Sequence, residues 1–119
     1  MGLTIVKAKV FKTLESKTTL EANLLVDSGA TYSLLPLSIC KKLKLKEMRK
    51  MEFVLADGTI ITRSLSECCF EIEGIKATSP IIIGQKGDVG LLGAVTLENL
   101  GLMLDPFKRK LSPMKLMLA

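Results

Sequence analysis

One aspartate, Asp27, lies in a local sequence that could support acid–base chemistry. It follows residues 19–26, in which apolar and polar side chains largely alternate, with Leu20, Ala22, Leu24 and Val26 in one phase. This period-two pattern predicts a half-buried strand. Gly29 then lets the backbone turn sharply without a Cβ clash. A carboxylate held at such a turn by backbone N–H groups is a candidate for catalysis, but it is only half of an acid–base pair.

The absence of histidine restricts the chemistry that the other residues can perform. Neither Ser-His-Asp nor Cys-His catalysis can be assembled, and a histidine metal site is excluded as well. The three cysteines, Cys40, Cys68 and Cys69, lack the paired spacing of a zinc site. Carboxylates and lysines remain for acid–base work, so we expect neither a metal nor another cofactor.

The length and the cysteines indicate a small domain from a reducing compartment. A chain of 119 residues is long enough for one core and too short for two, so residues 1–119 are predicted to form a single domain. Neighbouring Cys68 and Cys69 on a strand would point to opposite faces, which disfavours a bridge between them. The N-terminus lacks a signal-peptide core, and no apolar run approaches the ~18 residues of a membrane span. We therefore expect a cytoplasmic protein without a membrane partner.

The basic charge is concentrated in two segments of the chain. The formal net charge is +5, and the cationic residues cluster in residues 41–50 and 108–110. A nucleic-acid site would interleave such charge with stacking aromatics, but the chain has only Tyr32 and four phenylalanines. The charge therefore indicates a solvated basic surface, and no nucleic-acid partner is expected.

Short strands separated by turn residues predict a mainly β domain, either a barrel or a sandwich. Pro36 can open a short helix at its first position, and a second helix over residues 95–100 would be closed by Gly101. Asp57-Gly58, flanked by Ala56 and Thr59, is a strong hairpin signal. The predicted strands cover residues 3–11, 19–26, 51–55, 59–63, 68–72, 75–83, 102–104 and 110 onward.

The order of these motifs resembles the retropepsin-like aspartic proteases, the single-lobe relatives of pepsin. That family has an Asp-Thr/Ser-Gly-Ala loop, a hairpin flap, and two hydrophobic residues with a glycine before a short helix. The matching positions are residues 27–30, the hairpin around residues 57–58, and Leu91-Leu92-Gly93, and the resemblance covers roughly residues 19–112. Residues 92–94 and 100–106 look most like the small prokaryotic members. The resemblance implies a closed six-stranded acid-protease barrel, a single pepsin-like lobe with one or two short helices.

The resemblance also implies a mechanism and a partner. Pepsin-type enzymes use two aspartates that share one proton, because two like charges a few ångströms apart cannot both ionise cheaply. The ionised member takes a proton from the attacking water, and the protonated member hydrogen-bonds the peptide carbonyl oxygen. This chain has one Asp-Ser-Gly sequence, so the second aspartate is expected to be Asp27 of another copy across a two-fold axis. The implied activity is that of a homodimeric, cofactor-free endopeptidase acting on extended peptides with apolar side chains.

The family pattern assigns roles to the residues around Asp27. Ser28 would donate its hydroxyl across the dimer axis, Gly29 would supply backbone N–H donors, and Ala30 would be small for packing. Thr31 would brace the loop, although an ordinary surface threonine explains it equally well. The flap residues, which would close over substrate or form an ordinary hairpin, are Ala56, Asp57, Gly58 and Thr59.

Two apolar segments have competing interpretations. Leu91, Leu92 and Gly93 would lie beside the active-site loop with one leucine lining a substrate subsite, but core packing explains both leucines nearly as well. The apolar residues 114–118 would form a strand at the dimer interface or pack against their own domain.

Two other functions are compatible with the sequence. The first is a non-catalytic dimerisation or peptide-binding module of the same fold, which would bind an extended strand by main-chain pairing without cleaving it. The second is a basic nucleic-acid-binding β-barrel, which rests on charge alone and would show steep salt dependence.

Overall fold

This computed structural model describes residues 3–115, which contain nine strands and two short helices. The helices are α1 (Leu37–Lys42) and α2 (Ala94–Leu100). Neither helix of the described part has the length and apolar character needed to cross a membrane. The strands are β1 (Ile5–Phe11), β2 (Leu20–Val26), β3 (Ser33–Leu35), β4 (Arg49–Val54), β5 (Ile60–Ile72), β6 (Ile75–Ile83), β7 (Leu91–Leu92), β8 (Leu102–Asp105) and β9 (Lys110–Pro113).

Seven of these strands form one sheet in the order β1-β2-β7-β3-β6-β5-β4, and β8 pairs with β9 in a second sheet. β1 also pairs with β5, with Val10 opposite Phe70. The mainly β architecture with two short helices confirms that part of the prediction. The predicted closed six-stranded barrel is not confirmed. The strands form a seven-stranded sheet in which β1 and β5 make one additional pairing.

The longest strand differs from the sequence prediction, which separated residues 59–63 from residues 68–72. β5 runs without a break for 13 residues, and Leu65 and Ser66 in its middle are buried. Its first half pairs with β4, whereas its second half pairs with β6 and β1. A single strand therefore connects the Asp57-Gly58 hairpin to the core.

The core is aliphatic, as the composition requires, with Phe70 as its largest fully buried side chain. β2 places Ala22, Leu24 and Val26 inward in the predicted phase. α1 begins at Leu37, one residue later than predicted, with Pro36 at its N-cap. α2 ends at Gly101, whose φ of 70° is the left-handed conformation that glycine favours. Of the predicted C-terminal strand, residues 116–118 lie outside the described residues.

All three cysteines are buried and free. Burial raises the pKa of the Cys68 thiol far above its ordinary value of 9.0, and the neighbouring Cys69 and Cys40 add to the shift. Burial also raises the pKa of the Cys40 thiol. The raised pKa values keep the Cys40 and Cys68 thiols protonated in the folded protein over the physiological pH range.

The raised thiol pKa predicts a loss of stability in alkali. Below pH 9 both states keep the Cys68 proton, but above it only the unfolded state releases that proton. The free energy of unfolding should therefore fall as pH rises above about 9, by up to about 1.4 kcal/mol per pH unit for one thiol. Urea unfolding of the reduced protein would measure this slope between about pH 8 and pH 10, a range that spans the ordinary thiol pKa. The Cys68→Ala variant should show a shallower slope, and an unchanged slope would contradict the assignment.

Candidate active site

Backbone hydrogen bonds fix the position of Asp27 directly after β2. The Asp27 N–H donates to the carbonyl oxygen of Leu92 at 3.0 Å, and the Ala30 N–H donates to the Asp27 carbonyl oxygen at 3.1 Å. The carboxylate oxygen Oδ1 accepts the Gly29 N–H at 3.0 Å. The side chain is exposed. The loop therefore presents an oriented carboxylate to solvent with one oxygen held by a backbone donor.

The segment before α2 holds the far end of this loop. The Ala94 N–H donates to the carbonyl oxygen of Ala30 at 2.8 Å, and the Val95 N–H donates to that of Thr31 at 3.0 Å. Gly93 permits this close approach, because a Cβ at that position would lie 2.6 Å from the backbone carbonyl atoms of Tyr32. Residues 27–31 and 91–93, which are distant in sequence, are thus brought together at the end of the parallel β2–β7 pair.

A buried hydroxyl network, which the sequence did not indicate, lies beneath the loop. The Thr96 hydroxyl is 2.5 Å from that of Ser33 and 2.8 Å from that of Ser79. The Ser33 hydroxyl also accepts the Gly93 N–H at 2.9 Å. All three side chains are fully or almost fully buried. The network joins β3, β6 and α2 to the glycine that holds the Asp27 loop, and its only sequence signal is a hydroxyl residue at a buried position of each element.

Removal of the central hydroxyl of this network should destabilise the fold. Thr96→Val keeps the side-chain shape but leaves the Ser33 and Ser79 hydroxyls each without one partner. We expect a loss of about 1–3 kcal/mol in the free energy of unfolding, which urea titration would measure. Thr96→Ser retains the hydroxyl and should cost less, so a valine variant as stable as the serine variant would contradict the role of the network.

A cleft of about 340 Å³ separates the Asp27 loop from the β4–β5 hairpin. The Tyr32 ring meets the Phe53 ring edge to face, with centroids 6.1 Å apart and planes at 88°, so the cleft is bridged by an aromatic contact. Gly29, Ala30 and Thr31 line its loop side. The hairpin and sheet residues that line it, none of which the sequence predicted as site residues, are Phe53, Val54, Leu55, Ile61, Arg63, Leu34 and Ile82.

The two leucines of the Leu91-Leu92-Gly93 motif point to different surroundings. Leu91 lines the cleft, whereas Leu92 is fully buried in the core. The structure therefore places one leucine where it can contact a bound molecule and the other where it packs. The alternation follows from the β7 strand, in which successive side chains face opposite sides of the sheet.

The hairpin turn extends beyond the cleft into solvent. Ala56, Asp57, Gly58 and Thr59 are exposed, and none of them lines the cleft. The Thr59 N–H donates to the Asp57 carboxylate at 2.8 Å. The hydroxyl and the backbone N–H of Thr59 lower the pKa of Asp57 below its ordinary value. Val54 is 72% exposed and Ile60 is 61% exposed, so apolar side chains next to the turn are available for contact.

A second concavity of about 400 Å³ lies on the other side of the Asp27 loop. Ser28 lines it, together with α2 and the β8 strand through Leu97, Met103 and Leu104. Ser28 therefore lines a different concavity from Gly29, Ala30 and Thr31, which line the first cleft. The Asp27 loop separates two open surfaces, one bounded by the hairpin and the other bounded by α2 and β8.

The fold and the site define the class of protein. The sequence model of the aspartyl protease family matches residues 6–96, so the chain belongs to the aspartyl protease family. Its architecture is that of the retropepsin-like members. The matched region contains Asp27, the hairpin and Leu91-Leu92-Gly93.

Solved structures of retropepsin-like proteins share this fold. EIAV protease, solved with the inhibitor HBY-793, is 19% identical with a TM-score of 0.62, covering 98% of this chain and 94% of that one. The retroviral protease-like domain of Ddi1 from Leishmania major is 14% identical with a TM-score of 0.53, covering 94% and 90%. A retropepsin-like aspartic protease from Rickettsia conorii is 22% identical with a TM-score of 0.50, covering 85% and 84%. No curated protein matches the chain significantly.

Proposed function

We propose that this protein is a homodimeric aspartic endopeptidase whose catalytic pair consists of Asp27 from each of two copies. The observation that carries the proposal is the exposed Asp27 carboxylate, held by the Gly29 N–H on a loop that Leu92 and Gly93 fix in place. This loop borders a partly apolar cleft of about 340 Å³. Membership of the aspartyl protease family supports the same chemistry.

The proposed reaction is hydrolysis of a peptide bond by an activated water. One Asp27 carboxylate accepts a proton from the water as its oxygen attacks the peptide carbonyl carbon. The other aspartate is protonated and donates to the carbonyl oxygen, on which negative charge develops. The shared proton follows from the closeness of two carboxyl groups, since two adjacent negative charges are unfavourable.

The second copy is proposed to bind on the Ser28 side of the loop. The concavity there contains the apolar side chains Leu97, Leu102 and Met114. Met103 is 47% exposed at its edge. A two-fold partner on this surface would bring the two Asp27 loops together and pair Ser28 with its counterpart. The cleft on the opposite side would remain open to substrate.

The cleft favours an extended peptide with apolar side chains as the substrate. Leu34, Ile82 and Leu91 supply apolar surface, and the exposed Val54 on the hairpin could cover a bound peptide. Closure of the hairpin would exclude water from the reacting groups. A cytoplasmic location is part of this proposal, in keeping with the free cysteines.

Digestion of a peptide library tests the proposal. The protein should cleave library peptides between apolar residues at some pH from acid to neutral, and pepstatin should block cleavage. Binding without cleavage at every pH would contradict the protease and favour a non-catalytic peptide-binding module. Cleavage that pepstatin does not affect would contradict the aspartate mechanism.

A further inference from the structure

A third concavity, lined by lysines, lies far from the Asp27 loop. The lysine cleft, with a volume of about 260 Å³, is formed by the β1–β2 loop and the end of α1. β2 spans seven residues between this loop and Asp27, which corresponds to about 20 Å. The cleft is therefore separate from the candidate active site. Its lining residues include four lysines, Lys12, Lys17, Lys42 and Lys44.

The charges of the lysine cleft are not neutralised within residues 3–115. The ion pairs of that part of the chain join Lys7 to Glu21 and Lys76 to Glu71, and neither involves a cleft lysine. Glu15 lies in the same loop but does not line the cleft. The four lysines line one concave surface, and like charges that lie close together repel one another. Four ammonium groups around one concave surface would therefore be stabilised by an anion between them.

Lys44, the fourth lysine of the cleft, lies in an unfavourable backbone conformation. Lys44 follows α1 with a φ of 56°, the left-handed conformation in which a Cβ is unfavourable. Helices commonly end with glycine at this position. A lysine there strains the backbone and places a fourth charge at the cleft. Glu73 and Arg109 have the same conformation outside the cleft, so the contribution of Lys44 to an anion site is its charge.

We propose that the lysine cleft binds a compact anion that carries two or more adjacent phosphate groups. Each lysine ammonium is a compact point charge with three hydrogen-bond donors, and several of them can share the oxygens of neighbouring phosphates. No aromatic side chain lines the cleft, so it lacks the stacking surface of a single-stranded nucleic-acid site. The same chemistry is found in soluble polyphosphates and in phosphorylated lipid headgroups.

Isothermal titration with inorganic tripolyphosphate tests the proposal. Lys12→Gln/Lys42→Gln should weaken binding about tenfold at low salt, because two charge contacts are lost. The matched control is Lys108→Gln/Lys110→Gln, which removes the same charge from exposed positions outside the cleft. The control should bind like the unmodified protein. Equal losses in both double variants, or no tripolyphosphate binding by the unmodified protein, would overturn the proposal.

A glycine substitution separates anion binding from a structural role of Lys44. Lys44→Gly relieves the backbone at a positive φ and removes one cleft charge. The variant should unfold at the same or a higher temperature than the unmodified protein without tripolyphosphate, yet gain less stability when tripolyphosphate is added. An equal gain in both proteins would contradict a role of Lys44 in the anion site.

Vesicle binding identifies the source of the phosphate groups, and two other anions test whether phosphate groups are needed. If the protein sediments with vesicles that contain phosphatidylinositol bisphosphate, and the Lys12→Gln/Lys42→Gln variant sediments less, the site binds a lipid headgroup. Tripolyphosphate binding without vesicle binding would assign it to a soluble anion. Tighter binding of a polyglutamate peptide or of single-stranded DNA than of tripolyphosphate would overturn the proposal in favour of those partners.

Discussion

Asp27→Asn should abolish peptide-bond hydrolysis while leaving the protein folded. The amide cannot take a proton from water, and loss of a general acid–base group lowers rates by roughly 10²–10⁴-fold. We expect a loss of about a thousandfold in kcat. Asparagine Oδ1 can still accept the Gly29 N–H, and the side chain is exposed, so stability should change little. Cleavage of a fluorogenic peptide and thermal unfolding measure the two effects.

A matched control for this variant is Asp105, the last residue of β8. Asp105 also accepts backbone N–H groups through one carboxylate oxygen, from Phe107 at 3.0 Å and from Lys108 at 3.1 Å. Asp105→Asn makes the same chemical change outside the candidate active site and should retain cleavage. Equal activity of the two variants would refute a catalytic role for Asp27.

Mixing of unmodified chains with Asp27→Asn chains tests whether both copies supply an aspartate. After subunit exchange at equal concentrations, about one quarter of the dimers contain two unmodified chains, because partners associate at random in a symmetric pair. At equal total protein concentration, the exchanged mixture should therefore have about one quarter of the activity of the unmodified protein if the two aspartates act together. One half of that activity, at the same total protein concentration, would show that each chain acts alone.

Gly93→Ala should destabilise the fold because the added Cβ would clash with backbone atoms of the Asp27 loop. The added Cβ would lie 2.6 Å from the carbonyl carbon and oxygen of Tyr32 and 2.9 Å from the Ala30 carbonyl oxygen. These are backbone atoms, so the clash can be relieved only by moving the Asp27 loop or α2. We expect a loss of about 2–3 kcal/mol in the free energy of unfolding and a marked loss of cleavage. Urea unfolding and the peptide assay measure these losses.

Gly58→Ala separates this clash from the general cost of replacing glycine. At Gly58 a Cβ would meet no atom within 4 Å, although φ is +88°. Its cost should be about 1 kcal/mol, from backbone strain alone. A Gly93 variant that is no less stable than the Gly58 variant would mean that the loop yields easily, contrary to a rigid support for Asp27.

Much of the fold could be predicted from local patterns. The alternation in residues 19–26 identified β2 and its buried face, and Asp57-Gly58 identified a hairpin, because both signals lie within a few residues. The continuity of β5 could not be predicted in the same way. Ser64 and Ser66 interrupt its apolar pattern, and only pairing with β4, β6 and β1 keeps the strand intact.

The candidate site was predictable where residues adjoin in sequence and not where they meet through the fold. The motifs at residues 27–31 and 91–93 were identified, and the structure brings them together through backbone hydrogen bonds. The Ser33–Thr96–Ser79 network gave no signal, because its members are 17 and 63 residues apart along the chain. The Tyr32–Phe53 contact was missed for the same reason.

The support of the Asp27 loop has a consequence for how this protein can vary. Leu92, Ala94 and Val95 contact the loop through backbone hydrogen bonds, which do not depend on side-chain identity. The side chains that line the cleft, such as Phe53 and Leu91, take no part in those bonds. If the chain is the proposed protease, its peptide preference can therefore change at the cleft while the carboxylate stays in place, so specificity and catalytic geometry would be independently adjustable in this small fold.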